Sequence, residues 1–310
     1  MLMDFLQLSL APLLIGTCAS VTCALLGNFL ILRRQSLIGD AVSHVVLPGI
    51  VGAFLVTGTV STPAMLAGAA VAAMVAVVLI EVIRRLGKVE PGAAMGVVFT
   101  AMFAVGVLWL ERSNASSVHL DVEHVLYGNL ESLIWLAGDS PAALISTAAL
   151  AELPPQLPRL FGVLLMTATA LWIARRALVL GTFDEAFAAS VGARPRWISL
   201  WLLLLVSLAS VAAFEAVGAI LVVAMFICPP ATARLLTNHL GRQVGLSVVF
   251  ALTATVIGFG LAAYGPMALG GSNSVSGAGM IAVVSGLQLA GACLFAPSRT
   301  RSRIGATDAV

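Results

Sequence analysis

Charge is scarce in this chain: Asp, Glu, Lys and Arg make up 10% of its 310 residues, against 60% hydrophobic residues. At a mean hydropathy of +1.06, too little polar surface remains to clothe a water-soluble domain. Cysteine is sparse as well. Cys18, Cys23, Cys228 and Cys293 all lie in apolar stretches, as small buried hydrophobes do and a disulfide framework does not. No Gly-x-x-x-x-Gly-Lys-Ser/Thr phosphate loop occurs, so any ATP hydrolysis must come from another chain. Nor is there a His-Glu-x-x-His motif, which argues against an intramembrane metallohydrolase. Met1 to Ser9 hold an acid and no base, unlike the start of a signal peptide. The net charge of +2 calls for no nucleic-acid partner.

What is present is apolar sequence in bilayer lengths. A helical crossing needs about 20 such residues. Runs of this kind extend from Leu10 to Leu32, Ala41 to Gly58, Thr62 to Ile83, Ala93 to Leu110, Leu160 to Ala174, Trp197 to Phe214, Val217 to Leu236, Val244 to Tyr264 and Gly277 to Phe295. An all-α polytopic membrane protein with about nine crossings is expected, eight being the alternative. Ser132 to Leu153 is broken by Gly138, Asp139, Pro141 and the Pro154-Pro155 pair, and reads as an interfacial or re-entrant piece, with a tenth crossing still open. Lys and Arg are retained on the cytoplasmic side. With the N-terminus outside, fourteen of the sixteen basic residues fall inside, leaving Arg112 and Arg159 outside. Residues 1–296 then form one transmembrane domain, and 297–310 a basic, polar cytoplasmic tail expected to be disordered.

Asp40 and His44 are the first pointer to chemistry. Positions i and i+4 share a helix face, so a carboxylate oxygen and a ring nitrogen can reach one cation. Ionisable groups at membrane depth are costly and mark ion or substrate routes. The competing reading makes Asp40 the N-cap of a helix starting at Ala41, with His44 a core residue; the two roles can coexist.

Other candidates are weaker. His119, Asp121, Glu123 and His124 form the densest cluster of metal-ligand types, on the outer side, as an outer relay or as a solvated loop. Glu215 is a pore-mouth charge or a residue meeting water at a turn. Cys228, before Pro229 and Pro230, is a soft ligand or part of a proline kink. Glu81 reads as an interfacial ion pair with Arg84 and Arg85, and Gly92 with Gly96 as a close helix seam. In 182–195, Phe183, Phe187 and Val191 make an apolar stripe, Asp184 and Glu185 sit at the positive end of a short helix, and Gly192 suits its C-cap. Such a helix docks in a partner's groove or lies on the bilayer.

The stretch Leu32 to Gly49, Leu-Arg-Arg followed by Gly-Asp-x-x-Ser-His-x-x-Leu-Pro-Gly, resembles permease subunits of ATP-binding-cassette importers for manganese, zinc and iron, the ABC-3 metal permease family. Leu120 to Leu130 is similar to that family's extracytoplasmic loop, Thr182 to Gly192 to its ATPase-docking loop, and Val217 to Leu236 to its late proline-broken span, in the same order. The resemblance implies a multi-pass protein of the bacterial inner membrane with the fold of vitamin B12 and metal-chelate permeases. It implies a second protomer, identical or paralogous, and a metal-binding protein outside. A cytoplasmic ATP-binding subunit would be gripped by Phe183, Asp184, Glu185, Phe187, Val191 and Gly192. No cofactor is expected to stay bound, the divalent metal being cargo. Paired Asp40 and His44 give a mixed oxygen and nitrogen set that suits Mn²⁺, Fe²⁺ or Zn²⁺; the loop's resemblance favours manganese. An ATP-independent secondary transporter and a permease for chelated iron or cobalamin are the alternatives.

Overall fold

A backbone in lipid has no water to bond, so long apolar runs resolve into helices that satisfy their own N–H and C=O groups. The computed structural model describes residues 5–36, 38–58, 62–112, 130–138, 146–183, 185–192, 194–268 and 275–295, and among them the regular structure is wholly helical. A π-helical turn, Phe5–Ser9, leads into α1 (Leu10–Leu32). Then follow α2 (Ile38–Thr57), α3 (Thr62–Gly87) and α4 (Pro91–Arg112). Short α5 (Thr147–Ala151) precedes α6 (Gln156–Phe183), α7 (Glu185–Ser190), α8 (Pro195–Leu236), α9 (Leu240–Ala268) and α10 (Gly277–Phe295).

Contacts between helices fix their relative levels. α1 and α9 run antiparallel, with Ser9 against Tyr264, Thr255 donating to Ser20 at 2.9 Å, and Asn28 donating to Ser247 at 2.7 Å. α2 and α3 are antiparallel across Gly49 and Gly68, whereas α2 and α4 run parallel, with Pro48 on Gly106 and Gly52 on Trp109. One end of the bundle therefore gathers Arg33, Arg84, Arg85 and Lys88, while Arg112 and Arg159 lie at the other. Glu81 is buried and paired with both Arg84 and Arg85, as its spacing anticipates.

Among the described residues, eight helices are long and apolar enough to cross a membrane. The longest departs from expectation, because the sixth and seventh runs are joined in α8 with no loop between them. Its 42 residues, if straight, would stretch about 63 Å, twice the hydrocarbon thickness. The helical path breaks at Gly218, at φ 76° and ψ 165°, a conformation closed to residues with a Cβ. Ser199 shares Arg33 with the end of α6, and Glu215 pairs with Arg159 near the start of α6. Beyond Gly218 the chain comes back: Phe226 lies against Gly27, toward the Arg33 end of α1. Residues 195–217 and 219–236 thus run in opposite directions, so α8 holds two crossings and the described residues hold nine.

The interrupted segment after Leu130 makes no tenth crossing among the described residues. It holds a 3₁₀ turn, Leu130–Ser132, and the five residues of α5. Trp135, 1% exposed, anchors it: the indole Nε1 donates to the Ala149 carbonyl at 2.8 Å and the backbone N–H to Gln7 at 2.8 Å. The basic tail from residue 297 lies outside the described residues.

Gly92 and Gly96 correct an expectation, since nothing lies within 4 Å of a Cβ built on either. Their spacing marks a small-residue face, but no neighbouring helix of the chain uses it. Close packing falls instead at Gly49 and Gly68, where a Cβ on Gly49 would sit 2.5 Å from the Gly68 carbonyl oxygen. Gly68→Val should force α2 and α3 apart and cost about 1–3 kcal/mol, as overpacking does. Thermal unfolding in detergent should show a lowered midpoint for Gly68→Val and little change for Gly96→Ala; equal midpoints would refute the contact.

Candidate functional site

Helix α2 begins at Ile38, two residues before Asp40. Asp40 therefore stands inside the first turn and not at a cap, where the positive end of the helix dipole still favours its carboxylate. His44 Nε2 lies 3.8 Å from Asp40 Oδ1. That is too long for a hydrogen bond, yet short enough for one cation roughly 2.0–2.2 Å from each atom to bridge them. The side chains of Asp40 and His44 are 44% and 39% exposed.

Depth follows from Phe226. Its ring lies against Gly39 and its backbone carbonyl against Gly27. Pro230 lacks the N–H that would hold this carbonyl in the helical ladder, and Gly27, having no Cβ, lets it approach. Gly39 is thereby held at the level of Gly27, six residues or about 9 Å along α1 from Arg33. Asp40 and His44 accordingly sit inside the bundle, above the arginine level.

The imidazole is boxed by α4. Phe99 stacks on it at 5.0 Å between centroids and 25° between planes, and Phe103 meets it edge-on at 6.4 Å. Both rings restrict the rotation that would turn Nε2 away from Asp40. One helical turn on, Pro48 and Gly49 fit against Gly106 and Gly68, which fixes α2 to α4 and α3. The Leu-Pro-Gly part of the motif is thus a packing device beside the two ligand types. Sequence reading missed the aromatic box; the i, i+4 spacing of Phe99 and Phe103 on one face was the available signal.

Among the described residues, Glu215 does not join this pair. It lies toward the opposite face, 17% exposed, with its carboxylate held by Arg159. Arg159 holds one of its two carboxylate oxygens, and Glu215 stands three positions before the reversal at Gly218. Cys228 lies two residues past Phe226, its carbonyl accepting from Thr232 at 2.7 Å. His119, Asp121, Glu123, His124 and Asp184 lie outside the described residues, while Glu185 opens α7. Phe183, Phe187 and Val191 are 61%, 52% and 55% exposed, with Ala188 buried behind them. Gly192 ends the segment at φ 82°, as a C-cap glycine should. Among the described residues no three His, Cys, Asp or Glu side chains gather as a metal site.

Membrane-length apolar helices run through the described residues, which makes this a multi-pass membrane protein. The model of the ABC 3 transport family matches residues 5–136 and 155–289, and the chain belongs to that family. It is 35% identical over 283 residues to the manganese transport system membrane protein MntD of Bacillus subtilis (strain 168), covering 91% of this chain and 90% of that protein. It is 37% identical over 290 residues to the zinc transport system membrane protein TroD of Treponema pallidum (strain Nichols), covering 94% and 74%. The structure of PsaBC from Streptococcus pneumoniae, in complex with a Fab, superposes with a TM-score of 0.71 at 26% identity, covering 95% of this chain and 94% of that one.

The Arg159–Glu215 pair invites a direct check. Glu215→Gln leaves a half-buried guanidinium without its counter-charge, at a cost of about 1–3 kcal/mol. The unfolding midpoint in detergent should fall and partly recover in the double variant Arg159→Gln/Glu215→Gln. A midpoint unmoved by Glu215→Gln would show that the pair holds nothing together.

Proposed function

We propose that the chain is the membrane-spanning subunit of an ATP-driven importer of a divalent transition metal, with manganese the favoured cargo and zinc or iron served by the same donor chemistry. The observation that carries the reading is the Asp40–His44 pair: one oxygen and one nitrogen donor 3.8 Å apart, half open, inside an apolar bundle. Carboxylate suits manganese, imidazole suits zinc and iron, and both together suit all three better than Cu⁺. The manganese and zinc systems named among the relatives support this range.

Two donors do not complete a coordination sphere. A second protomer, identical or paralogous, meeting the first along α2 would raise the set to two carboxylates and two imidazoles on a shared axis. The basic end of the bundle is the cytoplasmic one, and α7 stands there with Phe183, Phe187 and Val191 exposed, an apolar stripe for the groove of a separate ATP-binding subunit. The chain itself has no phosphate loop, so that subunit supplies hydrolysis. Metal enters at the opposite face from an extracytoplasmic binding protein, with the His119–His124 segment as its first contact.

Asp40→Asn and His44→Ala should each abolish metal uptake by proteoliposomes holding the assembled transporter, while membrane insertion and assembly persist. Normal uptake by both variants at limiting metal would sink the site. Uptake that proceeds without ATP would point instead to a secondary transporter.

A charged residue in the stripe should break docking. Phe187→Glu is expected to lose co-purification of the ATP-binding subunit or, where some remains, to hydrolyse ATP without moving metal. Wild-type assembly and transport in this variant would remove α7 as the docking element.

A further inference from the structure

In the sequence Arg33 marks membrane orientation and belongs to the Leu-Arg-Arg stretch, and in the structure its guanidinium joins three elements. Nε donates to Thr182 Oγ1 at 3.0 Å and Nη1 to Ser199 Oγ at 2.6 Å. Thr182 is the penultimate residue of α6, and Ser199, 5% exposed, lies in the first turns of α8. These two hydroxyls stand at the entrance and exit of the segment that carries α7. One planar fork thus grips both flanks of the exposed Phe183, Phe187 and Val191 stripe, and Nη2 passes close beside Gly181.

The backbone of Arg33 leads straight to the metal pair. Arg33 closes α1 through its N–H to the Phe29 carbonyl at 3.0 Å. Arg34 follows at φ 56° and donates to Ile31, buried Gln35 donates to Leu30 at 2.8 Å, and Ile38 donates to Gln35 at 3.2 Å. Two residues further on is Asp40. The described residues of this turn are tied by hydrogen bonds, which suits it to carry a displacement of Arg33 onward. A guanidinium is suited to this task, since its donors are fixed in one plane and bonds from a charged donor are the stronger class.

We propose that Arg33 is the positioning residue that couples the α7 segment to the Asp40–His44 pair, so that movement of α7 by a partner is felt at the metal through one guanidinium. The inference rests on the transport reading above. A residue that only stabilised the bundle would lower the amount of assembled protein; a coupling residue changes how much metal moves per ATP.

The test uses the complete transporter, with its ATP-binding subunit and binding protein, in proteoliposomes supplied with radiolabelled Mn²⁺. For Arg33→Gln, co-purification and ATP turnover should stay within twofold of wild type while metal moved per ATP falls at least fivefold. Arg33→Lys, with the charge but no fork, should not restore the ratio. The double variant Thr182→Val/Ser199→Ala should reproduce the loss, and Arg33→Gln added to it should lower the ratio by less than a further twofold. A ratio within twofold of wild type in Arg33→Gln would overturn the proposal. If Arg33→Gln fails to assemble, a normal ratio in Thr182→Val/Ser199→Ala does the same.

A second readout is independent of transport. Spin labels at Ser36 and Ser190, in a background without the four native cysteines, should give a narrow distance distribution with Arg33 and a distribution at least twice as wide with Arg33→Gln. Should the wild-type complex move none of the three metals, the transport reading fails, and this measurement alone decides the linkage. An unchanged width would refute it.

Discussion

The contact on which the architecture turns is the one Phe226 makes with two glycines. A proline four residues on leaves its carbonyl out of the helical ladder, and a helix lacking a Cβ at Gly27 comes close enough to cover it. The same residue's ring fills the space left by Gly39. Three helices are locked at one level by atoms that are missing as much as by atoms that touch. Packing of this kind does in lipid what the hydrophobic effect cannot do there, since the tails outside are as apolar as the core. Asp40 is carried at a fixed depth as a result, one residue from the lock.

Several polar groups inside the bundle are met by partners. Asn28 reaches Ser247, Thr255 reaches Ser20, Glu81 takes two arginines and Glu215 takes one. Each is matched within the protomer, as the cost of an unmet charge in a low dielectric demands. Asp40 and His44 are more open than these, 3.8 Å apart with 44% and 39% of their side chains exposed.

Much of this was readable in one dimension. Apolar runs of bilayer length located every crossing, because the medium leaves helices as the only solution for such runs. The i, i+4 spacing put Asp40 and His44 on one face before any coordinates existed. Contacts between helices were another matter. Phe99 and Phe103 are ordinary apolar residues until α4 is laid beside α2. Gly92 and Gly96 carried a seam's spacing with no partner helix of this chain to meet it, while Gly49 and Gly68, far apart in sequence, carried the seam itself. Arg33 obeyed the rule for basic residues, which concealed the two hydroxyls it binds. Glu215 read as a pore-mouth charge or a residue meeting water at a turn; the reversal is made by one glycine at positive φ, and the partner Arg159 comes from a helix distant in sequence.

That reversal bears on how the chain is made. With no polar linker between its halves, α8 offers the insertion machinery 42 residues that cannot be handed to the lipid one crossing at a time. A carboxylate near the tip of the hairpin they form, that of Glu215, costs most in lipid while it is unpaired. Its partner Arg159 lies on α6, earlier in the chain, so the charge can be met as soon as the tip reaches that face.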